Sequence, residues 1–133
     1  MKVAVVIVGA GACGLTAALA ARDAGAEVLV LERDQSPAGS TALSSGFIPA
    51  AGTRYQRASG IDDSPERFAA DVQRKNHGEA DARIVETITR TIGPALEWLD
   101  DEHGLRFDVL RGFTYPGHSC LRMHACRRRR ARR

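Results

Sequence analysis

Lysine is nearly missing from this sequence. Only Lys2 and Lys75 occur among 133 residues, so almost all of the basic charge is arginine. No apolar run comes near eighteen residues, which excludes a membrane-spanning helix. Cysteine is scarce as well: Cys13, Cys120 and Cys126 are odd in number and form no Cys-x-x-Cys. That pattern argues against a disulfide framework and for a reducing compartment, the cytoplasm. No internal repeat is visible, which sets aside solenoid and propeller architectures. What remains is a chain of one-domain length, 44% hydrophobic, with enough apolar material for a modest core.

The formal charge of +3 misleads, because six arginines lie within residues 127–133. Without them the chain carries 13 basic residues against 16 acidic ones. The body is mildly acidic, and it shows no basic stripe, aromatic platform or recognition fold for nucleic acid. Specific nucleic-acid binding is therefore not expected.

The informative stretch is the first third. Val3 to Val8 is an unbroken apolar run, followed by Gly9-Ala10-Gly11-Ala12-Cys13-Gly14, an Ala/Leu-rich segment, and Glu27-Val-Leu-Val-Leu-Glu32. This reads as a strand buried on both faces, a glycine turn, a helix over about Gly11 to Ala24, and a second parallel strand. Leu15, Ala18 and Leu19 are expected on the sheet-facing side of the helix, and Gly25 as its stop. Gly9 permits the tight turn, Gly11 lets backbone approach a pyrophosphate, and Gly14 allows close helix–strand packing. Helix-start N–H groups then face the phosphates. Glu32, eighteen positions beyond Gly14, is placed to meet a ribose diol. A signal peptide competes for Lys2 and the apolar run, but three glycines interrupt it. A ligand-free α/β unit would make all three glycines and Glu32 coincidental.

Gln35 to Gly46 is rich in Gly, Ser and Thr. It fits an ordinary loop, and equally a second phosphate-contacting segment. Residues 47–61 look irregular. Ser64-Pro65-Glu66 starts a helix with Phe68, Ala69 and Val72 inward, ending by Gly78. Another helix begins near Asp81, with Ile84, Val85, Ile88, Ile92, Ala95, Leu96 and Leu99 at helical spacing. Gly93-Pro94 is expected to kink or break it. Leu105 to Leu110 is a candidate short strand, and Phe113 to His118 a turn-rich segment.

Taken together, Val8 to Ala21, Glu32-Arg33, Gly39 to Gly46 and Trp98-Leu99 resemble the amino-terminal part of FAD-dependent oxidoreductases. The nearest branch is the fumarate reductase/succinate dehydrogenase flavoprotein group, which includes 3-ketosteroid dehydrogenases. The resemblance implies an α/β fold: a Rossmann-like βαβ dinucleotide-binding unit followed by mainly helical segments, as an incomplete FAD-binding domain. It implies FAD as cofactor and chemistry at a CH–CH group of a small acid or ketosteroid. The implied cofactor-binding residues are Gly9, Ala10, Gly11, Ala12, Cys13, Gly14, Glu32, Arg33, Ser40, Thr41, Ser45 and Gly46. Within that set the Gly/Ser/Thr segment lines the flavin side. Ala38 and Phe47 depart from the family, which often has glycine at both positions. No catalytic residue carries over, since the substrate-binding part of such proteins lies in chain not represented among these 133 residues.

The glycine turn and Glu32 would serve NAD equally well, so an NAD-binding module stays open on those residues; Gly39 to Gly46 favours FAD. His118, Cys120, His124 and Cys126 fall within nine residues, yet their spacing matches no common zinc arrangement, and no metal is expected. The likeness stops near Ala125, in mid-domain, and an arginine block follows. The expectation is a partial FAD-binding domain over 1–125 and a disordered arginine-rich tail over 126–133, as in a truncated or frame-shifted product. A small basic protein binding polyanions through that tail is the remaining alternative.

Overall fold

A computed structural model describes residues 2–127. They fall into two compact units, one ending at Gly46 and the other beginning at Phe47. The arginine tail beyond Arg127 lies outside the described residues. Within them, Cys126 closes a strand and Arg127 is ion-paired with Asp108. The boundary expected after Ala125 thus falls inside a strand.

The first unit is the βαβ element. Strand β1 (Val5–Val8) and strand β2 (Val28–Leu31) pair in parallel, with Val5 opposite Val28 and Val8 opposite Leu31. Helix α1 (Ala12–Asp23) connects them, capped by Gly11 and Ala24. Its end is a Schellman closure: the Gly25 N–H donates to Arg22 O and the Ala26 N–H to Ala21 O. Gly25 takes φ +83°, a left-handed conformation that favours glycine.

Two expectations for this unit need correction. β1 is not covered on both faces: Val5 and Ile7 are half-buried, while Val6 is 52% and Val8 84% exposed. α1 covers one side of the strand pair, and side chains alternate across a strand. Leu15 is also exposed; the inward stripe of α1 runs through Gly14, Ala18 and Ala21. Small residues there let helix and strand approach closely. A short helix, α2 (Ser40–Leu43), follows β2 within the segment expected to be loop.

The second unit is a three-stranded antiparallel sheet with helices. Strands β3 (Phe47–Pro49), β5 (Met123–Cys126) and β4 (Phe107–Val109) lie in that order, β5 central. Ile48 is opposite His124, and Val109 opposite the same residue on the other edge. Ala50, Leu96 and Phe107 form the core, with Ile48, Tyr55, Ile92 and Leu99 against it. The stretch expected to be irregular holds β3 and helix α3 (Arg54–Ala58). α3 begins with a reciprocal capping box: Thr53 Oγ1 accepts from the Gln56 N–H, and Gln56 Oε1 from the Thr53 N–H.

Helix α4 (Pro65–Lys75) starts as the sequence indicates, Ser64 Oγ accepting from the Arg67 N–H and Pro65 in the first turn. Helix α5 (Ala82–Asp101), capped by Asp81, runs unbroken through Gly93-Pro94. Packing on both sides of the proline overrides its tendency to end the helix. Leu96 is in the core, and a Cβ on Gly93 would lie 2.8 Å from Ala51 O. The buried stripe of α5 is Val85, Thr89, Gly93 and Leu96, leaving Ile84 and Ile88 exposed.

Candidate functional site

The glycine turn between β1 and α1 is held by its own backbone. Gly9 adopts φ +100° and donates its N–H to Leu31 O at 2.7 Å, tying the end of β1 to the end of β2. A Cβ on Gly14 would lie 2.0 Å from Gly9 O and 3.2 Å from Ile7 Cγ2, so only glycine lets α1 start this close to the strand. Gly11 is the N-cap of α1 and brings no side chain to it.

Helix starts leave N–H groups without intrahelical acceptors. Here the Ala12 N–H donates to Thr41 Oγ1 at 3.1 Å. The N–H groups of Cys13 and Gly14 have no acceptor among the described residues. They face the helix mouth, where the macrodipole favours an anion.

Glu32 borders the same turn. Its Oε2 accepts from the buried Ala10 N–H at 2.7 Å, and its Oε1 from the N–H groups of Arg33 at 2.8 Å and Asp34 at 3.2 Å. The Ala10 bond, followed by that from Asp34, holds the Glu32 carboxyl below its ordinary value, so the group is ionised. Three backbone donors fix its orientation and leave about one lone-pair site, on Oε2, for a hydroxyl donor. Arg33 pairs with Asp34 at 3.4 Å, and its side chain is exposed.

The Gly/Ser/Thr segment turns back on itself through a residue that sequence reasoning passed over. Ser44 Oγ donates to Thr41 O at 2.8 Å and accepts from the Gly46 N–H at 3.1 Å. Gly46 has φ +70°. Ser40 opens α2 and Ser45 is exposed. Thr41 is the member of this segment that reaches the glycine turn; Ser40, Ser45 and Gly46 make no hydrogen bond to it. A serine two residues ahead of a glycine is an ST-turn signal that could have singled out Ser44.

The His/Cys cluster does other work. His124 is wholly buried, its Nδ1 2.7 Å from Arg122 O and its Nε2 2.9 Å from Thr53 Oγ1. His118 packs edge-on against Phe68, and Arg67 donates to Cys120 Sγ at 3.3 Å. Among the described residues no group of three or more His, Cys, Asp or Glu is placed to hold a metal ion. Sequence reasoning missed the charged network beside them. Arg122, fully buried, bonds both Asp63 and Asp71, and Asp71 also accepts from the Ser119 N–H and hydroxyl. Burial alone would raise the Asp71 carboxyl, but Arg122 and Ser119 hold it well below the usual carboxylate range.

These features match a known family. The family model described as the FAD binding domain matches residues 4–132, beyond Ala125 where the likeness was expected to stop. The chain belongs to the FAD binding domain family. Its cofactor is FAD. The NADH:fumarate oxidoreductase of Klebsiella pneumoniae (strain 342) is 36% identical over 120 residues, which is 90% of this chain and 13% of that protein. An open conformation of a flavocytochrome c3 fumarate reductase superposes with a TM-score of 0.82 at 30% identity, over 92% of this chain and 21% of the other. The 3-ketosteroid-delta4-(5alpha)-dehydrogenase of Rhodococcus jostii RHA1 gives 0.71 at 36% identity, over 80% of this chain and 22% of the other. The FAD binding domain chain therefore spans about a fifth or less of each of these proteins. Among its described residues no helix is long and apolar enough to cross a membrane.

Proposed function

We propose that this chain is the FAD-holding part of a flavin-dependent oxidoreductase that acts on a CH–CH bond of a small acid or ketosteroid. The observation that carries the reading is the turn itself. Gly14 permits a helix start that no side chain at that position would allow, and the segment after β2 reaches the same turn through Thr41.

The residues present fit the cofactor. Gly9, Gly11 and Gly14 keep Cβ atoms out of the turn, and Ala10, Ala12 and Cys13 add only small side chains beside it. The N–H groups of Cys13 and Gly14 would receive the pyrophosphate, and the fixed Glu32 carboxylate the adenosine ribose. Arg33 stands beside Glu32 at the adenosine end, and Ser40, Ser45 and Gly46 belong to the segment that would line the flavin side. When bound, FAD supplies the hydride chemistry; the chain's residues bind and orient it. Support for the CH–CH assignment comes from the fumarate and ketosteroid enzymes that the chain resembles. The three free thiols fit the cytoplasmic setting expected from cysteine usage.

A chimera tests this reading. The 120 matching residues of the Klebsiella pneumoniae NADH:fumarate oxidoreductase are replaced by those of this chain. The chimera should purify with bound flavin and reduce fumarate. A folded chimera free of flavin would contradict the FAD assignment, and a flavin-loaded chimera without fumarate reduction would contradict the CH–CH assignment.

A further inference from the structure

Lys75 is one of two lysines in a chain whose basic charge is otherwise arginine, and it lines a cavity that uses no residue assigned to FAD. The cavity lies in the second unit and holds about 230 Å³. Val72, Lys75 and Asn76, from the last turn of α4 and its cap, form one wall. Tyr115, Pro116 and His118 form the other.

Both walls are fixed by the fold itself. The Gly117 carbonyl accepts from Arg74 Nη2 at 2.9 Å, and the Ser119 N–H and hydroxyl donate to Asp71 at 2.8 and 2.7 Å. A Cβ on Gly117 would lie 3.0 Å from Lys75 Cδ, so the lysine stem packs directly on this glycine. The His118 ring stands edge-on to Phe68 at 5.4 Å, and Phe68 in turn lies 4.8 Å from the Arg122 guanidinium. Tyr115 and His118 are tilted rings 5.8 Å apart, which makes a ring-lined corner. A site set in this way pays little ordering entropy when a ligand enters.

Its charge is positive. Asp71 reaches the cavity, but it pairs with Arg74 at 2.7 Å and with Arg122, which also pairs with Asp63 at 2.7 Å. Two acids and two arginines cancel. The negative end of α4 is covered as well, because Val72 O accepts from the Asn76 N–H and Gln73 O from the Gly78 N–H. Burial, and then the Arg122 charge, hold His118 below its ordinary value, so near neutral pH its ring is uncharged. The exposed Lys75 ammonium has no partner among the described residues, and its charge stands uncompensated. The Tyr115 hydroxyl is uncommitted too, and His118 Nδ1 is buried with no hydrogen bond among the described residues, where buried polar atoms are normally paired. We propose that this cavity binds a small aromatic carboxylate, its acid group at the Lys75 ammonium and its ring against Tyr115, Pro116 and His118.

The full chain is titrated with benzoate, with benzamide, which has the ring without the charge, and with acetate, which has the charge without the ring. NMR shifts of the Tyr115 and His118 ring signals follow binding, and a circular dichroism melt checks each variant. Benzoate should bind with a Kd of about 1 mM, a value that suits so small a ligand. Benzamide and acetate should both bind more weakly. Lys75→Gln should weaken benzoate roughly fivefold, the upper range for an exposed ion pair, and leave benzamide unchanged. Tyr115→Ala should weaken benzoate and benzamide together; should it fail to fold, Tyr115→Leu carries the same comparison. Benzamide binding as tightly as benzoate, or benzoate affinity unchanged in Lys75→Gln, would overturn the proposal. So would a folded wild-type chain whose Tyr115 and His118 signals do not move with benzoate.

Discussion

The Glu32 carboxylate accepts the Ala10 N–H at 2.7 Å, joining the residue that follows β2 to the heart of the glycine turn. This bond places the acid before any ribose is present. Glu32→Ala should therefore weaken FAD by roughly an order of magnitude or more, the scale of hydrogen bonds to a charged acceptor. Glu32→Gln, which can still accept from Ala10, should fall between. Flavin fluorescence titration distinguishes them; equal affinity in all three proteins would remove Glu32 from the site.

Two glycines of the turn should respond differently to the same substitution. At Gly14 a Cβ meets the Gly9 carbonyl at 2.0 Å, a backbone contact that no rotamer change relieves. Gly14→Ala should lower stability by about 1–3 kcal/mol, as overpacking does, and abolish FAD binding. At Gly11 the nearest atom to a Cβ is Thr41 Oγ1 at 3.6 Å, an ordinary contact. Gly11→Ala should melt like wild type yet bind FAD poorly, because its methyl fills the space for phosphate. Matching melts for the two variants would contradict this division.

Much of the first unit was legible because local chemistry and tertiary position agree there. The apolar runs, Gly11 at the helix start and Gly25 at its end required little from distant chain. On α1, Ala18 is buried and Leu19 half-buried as expected, but Leu15 is exposed, because the close approach to the strands selects the small Gly14 and Ala21 beside Ala18. In the second unit, Thr53-x-x-Gln56 spelled a capping box that the surrounding glycines and Pro49 obscured. The Arg122 network was not legible at all. Asp63, Asp71 and Arg122 are up to 59 positions apart, and only the fold brings them together.

Removing Arg122 should show what that network is worth. Arg122→Met leaves Asp63 and Asp71 buried without their shared partner, which should cost about 3–5 kcal/mol. Adding Asp63→Asn and Asp71→Asn should recover much of the loss, since the uncompensated charges are then gone. Urea denaturation of the single and triple variants measures both; a single variant as stable as wild type would show the network to be energetically idle.

Acidification should destabilise the second unit in two stages. Burial lowers His124 below 6.5, although its bond to the Arg122 carbonyl pulls the other way, and burial lowers His118 similarly. A histidine depressed in the folded state binds protons more readily when unfolded. Its stabilisation is whole above 6.5 and declines as pH falls below that value. Asp71 and Asp63, held below 3.8 by Arg122 against the effect of burial, contribute above that pH and lose their effect under stronger acid. The urea midpoint should fall first below 6.5 and again below 3.8, and His124→Gln should flatten the first stage. A midpoint that rises between about pH 7 and about pH 5 would reverse the sign of the linkage.

The central claim, that the glycine turn of this chain holds FAD, is tested most directly by titrating the wild-type chain with FAD and with NADH under the same conditions. Flavin and nicotinamide fluorescence report the two ligands, and Gly11→Ala serves as the control. The account predicts that FAD binds more tightly than NADH, is displaced by ADP, and is lost in Gly11→Ala. Tighter binding of NADH, or FAD binding that Gly11→Ala leaves untouched, would contradict it.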